Sequence, residues 1–574
     1  MRYSNLIQVA LLGSHSSSRE EPTIGMAAQR AIFSRRRTTI HSLPVELLVR
    51  IFGLGAGFDD PYAGSPFLLK PEQAYVPMPS SNFQVVVSHV CQYWRQVALR
   101  APHLWTTLHF REKHHIERAM EYLARCTRST TCLLDILFDS VSEEDHIPGV
   151  TLYKDEVRTI FQTIIPHVKR WRSFHLKICD NDCKGLARQF LSTCGPAPNL
   201  ETLQLYHFED YRTTQNLYLA TYRPPVVVFN NSLPQLKNIS LIGVNLPWEK
   251  SPFLMNLHKL ELALHPDNIR PPYRWWRRML QMSPGLETLC LHYSGPKTTS
   301  GDKASDWPID EEKIVLPRLQ ELSLTDLDPD HLCFLLERLK IPTVKTLTLD
   351  LPDQDFTAVL ELLTRYSFDT KGDSDPNNNN NNNPGTRSRA PITTLSNLDT
   401  LVIRALDCSW SSWVACFKAL QRLRKLEVDF TRVQSRFWRL FVEDCGDREA
   451  QFAQKWTRDP STILPCLEIF KVSGISGKDI LDGLLHIYQP SRFHSCQKQP
   501  KWIIGWAEKR RGMDVELDAL IDRGYWSPIP GCMEMRILIE PFDDDDEEVM
   551  EEAEEIPIGS EPEEGSESTD ISST

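Results

Sequence analysis

PNLETLQLYH (198–207), LPQLKNISLI (233–242) and LPRLQELSLT (316–325) decide the fold of this chain. Each holds an apolar residue, a second three positions later and a third two positions after that. In these copies the triplets are Leu200, Leu203, Leu205; Leu236, Ile239, Leu241; and Leu319, Leu322, Leu324. Residues two apart point to one face of a strand. The second and third members therefore share a face, and the first sits in the turn that enters the strand. A proline ahead of the triplet suits that turn, because it fixes φ and lacks an N–H.

The triplet recurs along the chain. Further copies are Trp171, Phe174, Leu176; Leu257, Leu260, Leu262; Leu286, Leu289, Leu291; and Val344, Leu347, Leu349. After a gap follow Leu398, Leu401, Ile403; Leu423, Leu426, Val428; Leu467, Phe470, Val472; and a degenerate Cys532, Met535, Ile537. One such triplet is unspecific, since any buried strand can carry it. An ordered series predicts units stacked side by side as a parallel sheet, each burying its face only against its neighbours. Helical returns are expected where the connections are long. One is the stripe of Trp410, Trp413, Val414 and Phe417, another Leu332, Leu335, Leu336 and Leu339, and a third Phe356, Val359, Leu360 and Leu363. The 65-residue step from Leu467 to Cys532, which contains KWIIGWAEKRRG (501–512), is expected to hold an extra helix and the C-terminal cap. The spacing between first members runs from 21 (Leu236 to Leu257) to 65 (Leu467 to Cys532). The series resembles leucine-rich repeats of the irregular kind, a resemblance that covers roughly 168–480 and implies an irregular α/β solenoid with insertions.

Upstream, LPVELLVRIF (43–52) and VSHVCQYWRQVALRAPHLWTTL (87–108) read as amphipathic helices. Pro44 suits a first helical turn, and Leu47, Leu48, Ile51 and Phe52 follow it at helical period. In the second stretch Val87, Val90, Cys91, Trp94, Val97 and Ala98 share one face, and Ala101-Pro102 ends the helix. A Leu-Pro start, an Ile-Phe end, Val-x-x-x-Cys-x-x-Trp-Arg and a closing Pro-x-Leu-Trp resemble the F-box. That family's helical module docks on a Skp-type adaptor, which joins it to the cullin scaffold of a ubiquitin ligase. By resemblance, Leu43, Pro44, Leu47 and Ile51 match the first helix of the module, and Leu48 and Phe52 join them among the residues expected to bind the adaptor. Val90, Cys91, Trp94 and Arg95 match its last helix, and Leu104 and Trp105 its C-terminal anchor. Residues 53–84 exceed the family's usual connection and carry Pro61, Pro66, Pro71, Pro77 and Pro79.

The expected organisation is therefore mixed: a small all-α F-box-like module followed by an irregular α/β leucine-rich-repeat solenoid with disordered termini. A flexible leader spans 1–40, and the helical module spans 41–110 with its proline-rich insertion at 53–84. A connecting helix and a first strand fill 111–167, with Ile116, Met120, Leu123 and Ala124 as the helix's apolar face. The repeats run over 168–542, with a disordered Asn-rich loop near 369–392. An acidic disordered tail spans 543–574.

The net charge of −12 is concentrated in that tail, where 15 Asp or Glu and no Lys or Arg follow Pro541. The remainder is near neutral, which gives no argument for nucleic acid or membrane. Fourteen scattered cysteines favour a reducing compartment, hence the cytoplasm and/or the nucleus. No catalytic set is coherent. Gly474-Ile475-Ser476-Gly477-Lys478 fits neither a nucleophile elbow nor a phosphate loop. His175, Cys179, Cys183 and Cys194 lack the paired spacing of a zinc site. Tyr273-Arg274-Trp275-Trp276-Arg277-Arg278 reads as a helix with tryptophans facing inward. The expected function is that of a non-catalytic substrate-recognition subunit of a Skp–cullin–F-box ubiquitin ligase, without cofactor or metal, whose repeats bind an unidentified target protein. The rival reading is a leucine-rich-repeat scaffold acting outside any ligase.

Overall fold

The computed structural model describes residues 40, 43–57, 65–69, 83–127, 131–207, 225–297, 312–365, 394–429, 432–433, 464 and 466. It also describes the backbone of three later strands, Ile469–Ser473, Trp502–Glu508 and Glu534–Glu540. The leader, the Asn-rich loop, the Gly474–Lys478 motif and the acidic tail lie outside the described residues. The chain divides into two compact units, Met1–Asp60 with Ser81–Leu104, and Pro61–Ser80 with Trp105–Thr574.

The first unit is helical. Helix α1 spans Val45–Gly57, and the Pro44 carbonyl accepts from the Leu47 and Leu48 amides. The stretch read as one helix over 87–98 is two, α2 (Phe83–Val90) and α3 (Gln92–Leu99). The break falls on Cys91, whose backbone is extended (φ −159, ψ 169). Local hydrogen bonds satisfy the groups it frees. The Cys91 Sγ accepts from the Trp94 amide at 3.4 Å, capping α3, and Arg95 Nε donates to the Ser88 carbonyl at 2.9 Å, closing the end of α2. Leu48, Phe52, Val87, Val97 and Ala98 are buried, and the Phe52 and Trp94 rings meet at 5.0 Å between centroids. A Cβ on Gly55 would overlap the Phe83 ring, so this close approach in α1 requires glycine.

The second unit is an α/β structure built on a parallel sheet of fourteen strands. The strands are β1 (Thr107–Phe110), β2 (Leu134–Asp139), β3 (Trp171–Ile178), β4 (Thr202–His207), β5 (Asn238–Ile242), β6 (Lys259–Ala263) and β7 (Thr288–His292). They continue with β9 (Glu321–Thr325), β11 (Thr346–Asp355), β12 (Thr400–Asp407) and β13 (Lys425–Asp429), then β14, β15 and β16, the three later strands named above. Strands adjacent in this order pair in parallel, β9 lying between β7 and β11. Two short strands, β8 (Ile314–Val315) and β10 (Leu339–Lys340), pair separately.

The triplet accounts for this sheet. Leu203 and Leu205, and their counterparts through Leu426 and Val428, are buried, as are the first members Leu200, Leu236, Leu257, Leu286, Leu319, Val344, Leu398 and Leu423. The residue after each first member bonds back to the preceding turn. The amides of Glu201, Lys237, His258, Glu287, Gln320, Lys345, Asp399 and Arg424 each donate to a carbonyl one strand earlier, at 2.7–2.9 Å. The turn thus continues the ladder, which is why the pattern begins three residues ahead of the strand's own pair.

The returns carry helices. They include α4 (His114–Cys126), α5 (Lys154–Ile164), α6 (Asn181–Thr193), α7 (Tyr273–Gln281), α8 (Pro329–Glu337), α9 (Thr357–Thr364) and α10 (Trp410–Ala419). Leu332, Leu335 and Leu336 of α8 are buried, whereas Leu339, expected on the same helical stripe, is buried in β10. Phe356 at the cap of α9 and its Val359, Leu360 and Leu363 are buried, and α10 is capped by Ser409, whose Oγ accepts from the Ser412 amide. On α4 the inward face differs from the expected one. Ile116, Ala119, Tyr122, Leu123 and Cys126 are buried, whereas Met120 and Ala124 are exposed. Within the step expected to hold an extra helix, Trp502–Glu508 form strand β15, paired with β14 and β16, and the rest of that step between β14 and β16 lies outside the described residues.

Candidate functional site

On the helical unit, Leu47, Ile51 and Leu54 of α1 are 48%, 42% and 63% exposed, and Val86 and Val90 of α2 are 47% and 55% exposed. Positions 47, 51 and 54 lie at i, i+4 and i+7, on one helical face. Leu48 and Phe52 lie on another face and are 0% and 1% exposed. The apolar stripe read from the sequence is therefore two stripes, one facing the interior and one facing water.

That division sorts the residues matched to adaptor binding. Pro44, Leu47, Ile51 and Val90 are exposed, and Leu43, Cys91 and Trp94 are half-buried. Leu48, Phe52, Leu104 and Trp105 are buried and act as packing residues in this conformation. Cys91 serves as the cap of α3 and Trp94 as the partner of Phe52. Trp105 belongs to the sheet unit, where its ring meets Tyr122 edge-on at 5.0 Å and Arg125 lies 4.3 Å above it. The sequence reading passed over Leu54 and Val86. Leu54 lies beyond the quoted motif and Val86 just ahead of it, although both keep helical spacing with Leu47 and Val90.

On the sheet unit, alternate strand residues face away from the leucines. One row in register runs Leu137, His175, Gln204, Ser240, Glu261, Cys290, Ser323, Thr348, Val402, Glu427. From Leu137 to Ser240 this row is buried, and from Glu261 onward it is half-exposed. What covers the first part is Ser65–Leu69, from the proline-rich insertion. Leu69 packs with Leu137, Tyr206, Ile242, Ala263 and Leu264, and Leu68 and Tyr293 flank this cluster.

Gln204 holds the Leu69 backbone at both ends. Its Oε1 accepts from the Leu69 amide at 3.0 Å, and its Nε2 donates to the Leu69 carbonyl at 3.0 Å. Tyr206 donates from its hydroxyl to the same carbonyl at 3.0 Å and accepts from Gln204 Nε2 at 2.6 Å. His175 Nδ1 donates to Gln204 Oε1 at 2.7 Å, and Ser240 Oγ donates to the Tyr206 hydroxyl at 3.3 Å. Burial pushes the His175 imidazole down to about 4 and the Tyr206 hydroxyl upward. The network binds peptide backbone as a neighbouring strand would. It escaped the sequence reading, where Gln204 was only a polar residue between two leucines.

Cys179 Sγ donates to the Ser140 carbonyl and Cys194 Sγ to the Leu191 carbonyl, and burial pushes both thiols up to about 11. Among the described residues, the group of three potential metal ligands with atoms within 4.8 Å of one another is Glu112, His114 and His115. His115 Nδ1 already accepts from the Arg111 and Glu112 amides. On α7, Trp276 is fully buried, while Arg278 stacks on Trp275 and Arg277 donates to the Glu312 carbonyl. Among the described residues no helix is long and apolar enough to cross a membrane. No protein-family model matches the chain, and no curated protein matches it either.

Proposed function

We propose that this chain is the target-recognition subunit of a Skp–cullin–F-box ubiquitin ligase. Its helical unit is an F-box-like module, and its sheet unit is an irregular leucine-rich-repeat solenoid. The observation that carries the reading is the exposed apolar face of Leu47, Ile51, Leu54, Val86 and Val90. A small helical unit that already buries Leu48, Phe52 and Val87 gains nothing from a second apolar face in water. Exposed apolar side chains clustered on the helices of so small a unit point to an interaction site. The occupant we assign is a Skp-type adaptor, which links the chain to a cullin. The half-exposed sheet row from Glu261 to Glu427 then faces the target protein, and ubiquitin transfer takes place on other subunits.

The test is co-purification with a Skp-type adaptor. The wild-type chain retains the adaptor. Leu47→Asp with Ile51→Asp removes it without unfolding the helical unit, since both side chains lie on its surface.

A further inference from the structure

We propose that the sheet face around His175, Gln204, Tyr206 and Leu264 is a docking site for an extended, leucine-bearing segment of a target protein, which takes the place of Ser65–Leu69. The site reads features that many peptides share. Toward the strap, Gln204 and Tyr206 bond to the amide and carbonyl of Leu69, backbone groups that any such segment offers. The cluster of Leu137, Tyr206, Ile242, Ala263 and Leu264 encloses one leucine side chain. Backbone reading combined with a pocket for a side chain is how sheet surfaces recognise extended peptides.

The resident strap buries Phe67 and Leu69 but holds its place without strand pairing. Among the described residues it forms no strand, and Pro66 offers no N–H. Ser65 Oγ accepts from the Phe67 amide, a bond within the strap itself. Because the strap belongs to the same chain, a partner segment has to compete with an intramolecular occupant. A longer partner segment could bond to Gln204 in the same way and continue over the half-exposed Glu261, Cys290 and Ser323 of the same row. The strap then acts as a built-in competitor that only a fitting target displaces. This rests on the sheet face being the target-binding surface. Binding is measured here without adaptor, so its failure is separable from failure of adaptor recognition.

The probe is the pentapeptide Ser65–Leu69, labelled with fluorescein and amidated at its C-terminus, titrated into the full-length chain. Leu69→Asp places a charge in the leucine pocket and frees the site. The expected result is saturable binding to the Leu69→Asp chain, little binding to wild type, and binding weakened about tenfold when Gln204→Ala is added. Absence of binding to a folded Leu69→Asp chain would overturn the proposal, as would binding indifferent to Gln204→Ala. A second measurement needs no variant. Excess unlabelled peptide should speed hydrogen exchange of the Leu69 amide in the wild-type chain, and unchanged protection counts against displacement.

Discussion

Gln204 closes two hydrogen bonds on the backbone of Leu69, a residue 135 positions earlier in the chain. A strand side chain thereby does for one residue what a neighbouring strand would do for several. Replacing it tests how firmly the strap is held. Gln204→Leu keeps the volume but leaves the buried Leu69 amide unpaired, at a cost of roughly 1–3 kcal/mol. The expected outcome is faster hydrogen exchange at Leu69, with the exchange of Leu347 and Leu349 in β11 unchanged.

Neighbouring leucines on α1 should respond in opposite ways. Leu48 is buried and Leu47 is exposed. Leu48→Ala should destabilise the helical unit by about 2–5 kcal/mol through lost burial and a residual cavity. Leu47→Ala should stay within about 0.5 kcal/mol of wild type. Urea denaturation followed by Trp94 fluorescence measures both.

The cap of α3 makes a third prediction. Cys91 accepts from the Trp94 amide through sulfur at 3.4 Å, and serine is the stronger acceptor at such a position. Cys91→Ser should leave stability equal or raised, and Cys91→Ala should lower it by about 1 kcal/mol. The same denaturation assay distinguishes them.

Acid should weaken the sheet unit. Burial holds His175 and His331 down to about 4, so both stay neutral in the folded chain. In the unfolded chain they take up protons near their ordinary value of 6.5. The stability tied to their neutrality is complete above that value and is lost as pH falls from it toward about 4. Each contributes a slope of up to about 1.4 kcal/mol per pH unit in that window. Urea midpoints should drop between about pH 7 and about pH 5, and His331→Leu should flatten the drop.

The repeats were legible in the sequence because strand pleating writes itself in alternate residues. The leucine triplets located β3 to β7, β9, β11 to β14 and β16. Strand β1 was missed, since Thr107–Phe110 carries no triplet and looks like the tail of a helical motif. Strand β15 carries no triplet, and the basic run after Trp506 hides the apolar Trp502–Ile504. The break at Cys91 was hidden for a different reason. Helical periodicity carries across one extended residue whenever a local cap keeps the faces aligned. The site was half legible: Leu47, Ile51 and Val90 could be named, but not separated from Leu48 and Phe52. A continuous apolar stripe does not say which half faces water. The Leu69–Gln204 pairing was beyond reach, because it joins distant residues through backbone atoms that every sequence shares.

The most direct test is calorimetric titration of a purified Skp-type adaptor into the full-length chain. The wild-type chain is expected to bind with a single saturable transition, and the folded Leu47→Asp, Ile51→Asp chain to give no heat of binding. Binding by that double variant at wild-type affinity, or no binding by the wild-type chain, would contradict the assignment of this helical face to the adaptor.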